Sequence, residues 1–422
     1  MLQKKERVTY GSMSLDIDND GDTDLIVAQT FGIFVYLNNG DHFSEKRINP
    51  LLGLETYGVP VSLTAGDINK DSLPDLYVST FINHRYFRSA TFNDPQHTTI
   101  NILLINKGNG EFIDGTKSSG LTVQQNTFLS SFIDLNNDSW QDLVVSQNTG
   151  TVRIFKNRGD LTFEEVTPPT DNGFWMGIAA GDIDNDGDID LFLSNAGNTV
   201  PRFILRGDLH QEQTVDSEWA LLRNDGNFIF TNITRDQRMK DGEFSWGALF
   251  EDMNLDGELD LLVMENSIKW TAHKLRKAPG RFFIQHKGNF YPVTKATGLT
   301  NEYFGQAPLA ADFNNDGYPD LVFINLDGPL RVFINNGGTN NYLTVRLPDR
   351  AEGLGSRVVV TKNDGSTLTR QFMTGLGFMS DTTPDLTFGL GSETNVSLLQ
   401  IFWPNGKITT IPSPKINTVI VP

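Results

Sequence analysis

Nine residues near the start of the chain, Asp16-Ile17-Asp18-Asn19-Asp20-Gly21-Asp22-Thr23-Asp24, put carboxylates at positions 1, 3, 5, 7 and 9 and a glycine at position 6. The apolar run Leu25-Ile26-Val27 follows at once. Side-chain oxygens packed this densely, on a loop that turns sharply at a glycine, can wrap a hard cation. Ca2+ takes six to eight oxygens at about 2.3–2.6 Å and suits such a loop. One copy is a weak signal, because Asp, Asn and Gly also make ordinary turns. The chain has five more.

At the odd positions the second loop has Asp67, Asn69, Asp71, Leu73 and Asp75, and the third has Asp134, Asn136, Asp138, Trp140 and Asp142. The fourth has Asp182, Asp184, Asp186, Asp188 and Asp190. The fifth has Asp252, Asn254, Asp256, Glu258 and Asp260, and the sixth Asp312, Asn314, Asp316, Tyr318 and Asp320. Side chains at 1, 3, 5 and 9 are expected to coordinate, with position 7 adding its backbone carbonyl whatever its side chain. Loops one and four carry four ligating carboxylates and are expected to bind most tightly. Loops 67–75 and 134–142 have Ser72 and Ser139 in place of the glycine. A left-handed backbone there costs on the order of 1 kcal/mol, so these two are expected to be weakest. No loop has the His or the open position of a catalytic zinc site. About six structural Ca2+ ions are expected.

The charge distribution agrees. The chain carries a formal −18, and its six loops hold 23 of the 52 acidic residues and one base, Lys70, of the 34. The loops therefore carry −22 and the rest of the chain +4. A merely solubilising surface would spread its acidity more evenly.

The loops recur every 48–70 residues, which signals a repeat architecture. Before each comes a run of small and apolar residues, such as Gly177–Gly181. A β-rich run such as Leu143–Val145 follows, then a third strand that ends at an Asn/Gly turn, as at Asn38–Gly40 and Asn224–Gly226. Asn and Gly tolerate the positive φ of tight hairpins. In the first five repeats a short fourth strand starts with Phe (Phe43, Phe112, Phe163, Phe228, Phe290). Four antiparallel strands per repeat predict an all-β fold, a β-propeller of four-stranded blades. Six blades are countable, and seven are expected, with six as the alternative.

These repeats, over roughly residues 6–340, resemble the FG-GAP/VCBS repeats of integrin α N-terminal propellers, and Phe304-Gly305-Gln306-Ala307-Pro308 nearly spells the motif. Residues 341–422 have no such loop and read as a small β-sandwich or barrel. Gly353-Leu354-Gly355-Ser356-Arg357, Phe388-Gly389-Leu390-Gly391 and Trp403-Pro404-Asn405-Gly406 resemble the ASPIC/UnbV domain of the cartilage acidic protein family and its bacterial relatives. The resemblance implies adhesion or matrix-type roles and identifies no ligand. The expected division is a propeller over 1–340 and the β domain over 341–422.

At 422 residues, one propeller and one small domain account for the chain. Zero cysteines exclude disulfides and thiol chemistry. No run is apolar enough to span a bilayer, and the first residues show no signal-peptide core. A mature or truncated form of an extracellular or periplasmic protein is expected, with a monomer favoured.

In a blade, the metal loop and the Asn/Gly turn lie on one face, and the link between the second and third strands lies on the other. Blades two, four and five have long links, 81–100, 196–219 and 265–283, rich in aromatic and basic residues. Candidate partner-binding residues are Arg85, Tyr86, Phe87, Arg88, Arg202, Phe203, Trp270, His273, Lys274 and Arg276. The expected partner is a protein or a glycan, and the overall acidity argues against nucleic acid. Arg206-Gly207-Asp208 matches the integrin-ligand tripeptide, which three residues also do by chance. The rival reading is a lectin or a calcium-dependent polysaccharide lyase using His84, His97, His210 or His273 with a nearby Arg or Lys. No spacing ties those groups into a site, and no nucleophile elbow or phosphate loop is visible.

Overall fold

The computed structural model describes residues 8–48, 58–83, 85–88, 90–197, 200–237, 239, 242–269, 274–381 and 383–422. Backbone alone is described at 267–269 and 274–277.

Six antiparallel sheets follow one another along the chain, each built in sequence order. The first is Thr9–Leu15, Asp24–Gln29, Gly32–Asn38 and Phe43–Ile48. The second is Gly58–Gly66, Asp75–Ile82, Ile102–Asn106 and Phe112–Asp114. Thr127–Ile133, Asp142–Gly150, Val152–Asn157 and Phe163–Val166 form the third. Ile178–Gly181, Asp190–Leu193, Ala220–Asn224 and Phe230–Asn232 form the fourth. The fifth is Phe244–Glu251, Asp260–Lys269, Arg281–His286 and Asn289–Pro292, and Lys274–Lys277 folds back on its second strand. The sixth has three strands, Phe304–Ala311, Asp320–Leu326 and Arg331–Phe333.

In blades two and three the first two strands are flanked by sheets on both sides and are buried almost throughout. All eight residues of Asp75–Ile82 are buried, whereas Phe43–Ile48 on the outside is mostly exposed. The core consequently lies between sheets. Tyr77 and Phe132 meet between blades two and three, and Phe192, Trp219 and Phe250 between blades four and five.

From Asn341 the chain builds two further sheets. Asn341–Arg346 lies between Asp385–Gly391 and Val419–Ile420. Arg357–Thr361 lies between Thr367–Gln371 and Leu398–Phe402, with Ile408–Pro412 outside. Leu343, Val345, Val358, Leu399 and Trp403 share one apolar cluster with Met13, Leu15, Ala65 and Leu76 of blades one and two. The expected seventh blade does not occur among the described residues, where the blades number six. The physical reason is that the strands after Asn341 are consumed in pairing with one another.

This C-terminal domain stands on the face that carries the Asp-rich loops. Asp16 N donates to Asp349 O at 3.0 Å, Gly391 N to Leu255 O at 2.8 Å, and Asn340 Nδ2 to Asn254 O at 2.9 Å. From there residues 372–381 run down the ring axis. Near the loop end, Thr374 exchanges hydrogen bonds with Ala65 at 2.8 Å and accepts from Ser131 Oγ at 2.7 Å. At the far end, Phe378 packs 5.3 Å from Trp246 and 5.5 Å from Phe128, and Met379 O accepts from Ser12 N.

The Asn/Gly turns do more than close hairpins. Their leading amides reach across to the preceding blade, accepting carbonyls being Ile17 from Asn106, Ile68 from Asn157, Leu135 from Asn224, Ile183 from Gln285 and Met253 from Asn335, all at 2.7–3.0 Å. Among the described residues Asn38 Nδ2 of blade one donates to its own blade's Thr23 O, at 3.3 Å, and to no other blade. Losing a buried amide that satisfies two carbonyls costs roughly 2–3 kcal/mol. Asn224→Leu, which frees Leu135 O and Ile189 O, is expected to lower the urea-unfolding free energy by about that much. Asn38→Leu is expected to cost less than half as much, and equal losses in the two variants would contradict the inter-blade tie.

Candidate metal centres

Each Asp-rich loop begins where the innermost strand ends, and one hydrogen-bond pattern repeats in all six. The position 1 carboxylate accepts from the backbone N of position 5 at 3.0–3.2 Å. Its other oxygen accepts from position 6 at 2.8–3.1 Å. The position 9 carboxylate takes the amide that opens the third-strand turn at 2.6–2.9 Å. Positions 1 and 9 thus draw the loop and both hairpins onto one point.

Two of these points are acidic enough to hold a metal ion by carboxylates alone. Asp16, Asp18 and Asp24 each offer an oxygen within 4.8 Å of the others, and so do Asp182, Asp184 and Asp190. They belong to the two loops expected to bind most tightly. The other four loops carry Asn69, Asn136, Asn254 or Asn314 at the third position, so an amide oxygen would complete them. Two buried acceptors, Asp18 Oδ1 and Asp75 Oδ2, receive no hydrogen bond from described residues. Hard oxygens without donors fit a hard cation.

Burial dominates the electrostatics. Desolvation pushes Asp190 to about 8 and Asp182 to about 7. It takes Asp75 to about 8, Asp67 and Asp134 to about 6, Asp252 to about 7 and Asp260 to about 9. Asp142 is raised well above the usual range, and Asp18 and Asp24 are raised, again first by burial. Neighbouring loop aspartates add to each rise. Opposing them, the Arg370 guanidinium of the C-terminal domain, held over Phe388, pulls Asp182 and Asp252 back down. Arg357, half-buried, brings a second cation toward Asp134 and Asp188.

Side chains at position 7 face away to other work. Glu258 accepts from Lys287 N and Gly288 N, Asp188 from Asn137 Nδ2, and Tyr318 Oη bonds Asn340. The Trp140 ring carries Lys70 Nζ 3.9 Å above it, Leu73 lies beside Gly108, and Asp22 is exposed. Asp20, Asp71, Asp138, Asp186, Asp256 and Asp316 at position 5, with Asp312 and Asp320 in the sixth loop, keep the same places in the pattern.

Position 6 is left-handed in every loop, including Ser72 at φ 69° and Ser139 at φ 67°. Position 4 is left-handed too, at φ 57–60°, which the sequence reading missed at Lys70 and Leu255. The conformation turns the position 4 side chain toward the next loop. Asn19 Nδ2 donates to Ser72 O at 2.5 Å, Asn137 to Gly187 O and Asn185 to Gly257 O, both at 3.3 Å. The Asn residues at this position were the available signal.

On the opposite face, Arg85, Tyr86, Phe87, Arg88, Arg202 and Phe203 are exposed, Phe203 at 79%. Trp270, His273 and His84 lie outside the described residues, and Lys274 and Arg276 are described by backbone only, in the returning strand Lys274–Lys277. The second and fourth insertions join into one surface. Asp208 accepts from Phe92 N at 2.5 Å and Asn93 N at 3.1 Å, while Arg206 donates to His210 O and Gln213 O. The Arg206-Gly207-Asp208 tripeptide is therefore engaged in holding the two loops together. His97 is buried, with Nε2 2.8 Å from Arg88 N, and His210 is exposed. No described helix is long and apolar enough to cross a membrane.

The FG-GAP-like repeat family matches residues 16–78, 134–193 and 312–365, and the ASPIC and UnbV family matches 348–421. Cartilage acidic protein 1 of Xenopus tropicalis is 24% identical over 503 residues, covering 98% of this chain and 73% of that protein. The human protein is 24% identical over 453 residues, covering 99% of this chain and 64% of its own length. A lectin from Burkholderia pseudomallei aligns with a TM-score of 0.47 at 10% identity, over 78% of this chain and 81% of that one. A rhamnogalacturonan lyase from Bacillus licheniformis aligns with a TM-score of 0.40 at 11% identity, over 98% and 72%. The chain thus carries FG-GAP-like repeats and a C-terminal ASPIC and UnbV domain, and is similar along nearly its whole length to cartilage acidic protein 1.

Proposed function

We propose that this protein is a non-enzymatic, calcium-binding interaction protein that works outside the cytoplasm as a monomer. Six Ca2+ ions lock the blades, and the face away from them engages a protein or glycan partner. The observation that carries the reading is the convergence of buried carboxylates at one point per blade. An ionised carboxylate in such a place is costly unless a cation pairs with it. Extracellular calcium modules bind at dissociation constants near 10⁻⁴–10⁻³ M, so millimolar Ca2+ contributes roughly 0.4–1.4 kcal/mol per site. Six sites give roughly 2–8 kcal/mol, as much as the net stability of many domains.

The sign of the pH dependence follows from the raised values. Groups whose folded pKa exceeds the unfolded value stabilise the metal-free fold below the unfolded pKa of 3.8 and lose that contribution as pH rises through about 6 to 9. Bound Ca2+ replaces the protons and reverses the trend. Chelated protein is expected to melt lower at pH 8 than at pH 5, and millimolar Ca2+ to raise the melting temperature by about 5 °C or more at pH 8. The rise should shrink toward pH 5. A melting temperature indifferent to chelator at pH 8 would sink the metal reading. Calorimetric titration should give about six sites, and Ser72→Gly with Ser139→Gly should tighten the weakest two by up to about fivefold each, the relief of roughly 1 kcal/mol of left-handed strain.

For the partner face, the exposed ring of Phe203 beside Arg202, and Tyr86 between Arg85 and Arg88, match the aromatic and arginine composition of binding surfaces. Replacing Tyr86 and Phe203 together by Ala is expected to weaken a partner found on a glycan array or matrix-protein panel by about tenfold or more, with melting unchanged. Unsaturated product released from uronic-acid polymers would instead establish the lyase reading.

A further inference from the structure

A cavity of about 400 Å3 opens at the end of the ring axis away from the loops. Met379 of the axial segment closes its floor, and Tyr10, Phe128 and Trp246, from the opening turns of three inner strands, form its walls. Phe87 and Leu205 of the second and fourth insertions bring those loops to its rim. The widening has a backbone cause. Inner-strand register breaks at Thr9/Gly11, Pro60/Ser62, Ser245/Ala248 and Gly305/Ala307, all at the end away from the loops. Bulges bend strands and are common beside binding sites.

The walls are rigid and uncharged. Phe128 stacks on Phe81 at 4.4 Å and meets Trp246 edge-on at 5.8 Å, while Trp246 packs 5.2 Å from Phe244. Among the described lining residues there is no Lys, Arg, His, Asp or Glu. A glycan or an ionised ligand would leave its polar groups unpaired here. The volume falls in the range of small-molecule sites, which are mostly apolar with a few placed polar groups.

One such group is present. Asn148 lines the cavity and is only 4% exposed. Its backbone N donates to Asn126 O at 2.8 Å, but its side-chain amide has no hydrogen bond among the described residues. Trp246 Nε1, on another lining side chain, is a second buried donor without a described partner. The Asn148 amide is open to an otherwise apolar cavity, and a ligand hydroxyl or carbonyl would pair with it there.

We propose that this cavity binds a neutral, ring-containing, hydrocarbon-rich small molecule that carries one hydroxyl or carbonyl group, which pairs with the Asn148 amide. Its ligand is distinct from a protein or glycan held at the rim, although Phe87 borders both.

The test uses the full chain in saturating Ca2+ with three fluorescent probes that share one ring system: hydroxypyrene, pyrene and pyrene sulfonate. Hydroxypyrene should bind about tenfold more tightly than pyrene, and pyrene sulfonate should not bind measurably. Asn148→Leu should abolish the preference for hydroxypyrene while pyrene still binds. Ile204→Trp, which projects bulk into the cavity from a half-buried position, should weaken both neutral probes by more than about tenfold, with melting temperature as the check on folding. Should Ile204→Trp lower the melting temperature, Asn148→Leu alone decides through the probe ratio. Absence of binding by either neutral probe, sulfonate binding as tight as hydroxypyrene, or a hydroxyl preference that survives Asn148→Leu would overturn the proposal.

Discussion

The structure depends on burying two carboxylates at the axial end of each of the first five blades and one, Asp320, in the sixth, where Asp312 is half-buried. A buried charge is tolerated only when hydrogen bonds or an opposite charge meet it. Here backbone amides do the first part of that work. The Asp182 pair of oxygens takes the amides of Asp186 and Gly187, and Asp190 takes those of Ile183 and Asn224. These four donors belong to the loop and to the third-strand turn, so the carboxylates set the register of the blade before any cation is considered. They do not cancel desolvation, as Asp190 at about 8 and Asp260 at about 9 show. The guanidinium of Arg370 offsets part of the remaining imbalance at Asp182 and Asp252.

That constraint explains what the sequence made readable. Each loop repeats one hydrogen-bond pattern that demands oxygens at fixed steps, so six loops stand out of one chain, and each loop fixes where an inner strand ends and the next begins. Blade order followed from the same landmarks. The ties between blades were not readable, because Asn106, Asn157 and Asn224 each reach a carbonyl 89 residues back. Nothing local distinguishes an Asn that only shapes its turn, as Asn38 does, from one that also bridges sheets. Lys70 and Leu255 at a left-handed position carried no signal either, since neither residue type favours that backbone. The axial segment did leave a trace. Phe372, Met373, Leu376, Phe378 and Met379 make an unusually apolar connection between two strands, and all but Met379 are buried, which an exposed loop would not be.

The two faces of the ring differ because of that segment's origin. Its domain covers the loop side with Arg370, which is buried, and Arg357, which is half-buried, and these two guanidiniums meet part of the loops' charge. The other mouth is bounded by the bulged ends of the inner strands and by two insertions that hold each other through Asp208, Asn93 and Gln213. One side is thereby organised by charge and the other by aromatic packing.

Ring closure shows why the C-terminal domain is more than an appended module. Five junctions between successive blades carry an amide tie, but the junction of blade six with blade one carries none among the described residues, and blade six has only three strands. At that junction the C-terminal domain supplies the contacts. Asp349 O accepts from Asp16 N, the Tyr342 ring lies against Gly317, and Met379 O accepts from Ser12 N. The apolar cluster joining Leu343 and Val345 to Met13 and Leu15 runs through the same region. A sheet edge left unpaired is a liability that folds cover or pair. Here the last domain of the chain seats on the first blade, so the ring is complete only when residues more than 300 apart in sequence, such as Thr64 and Thr374, have met.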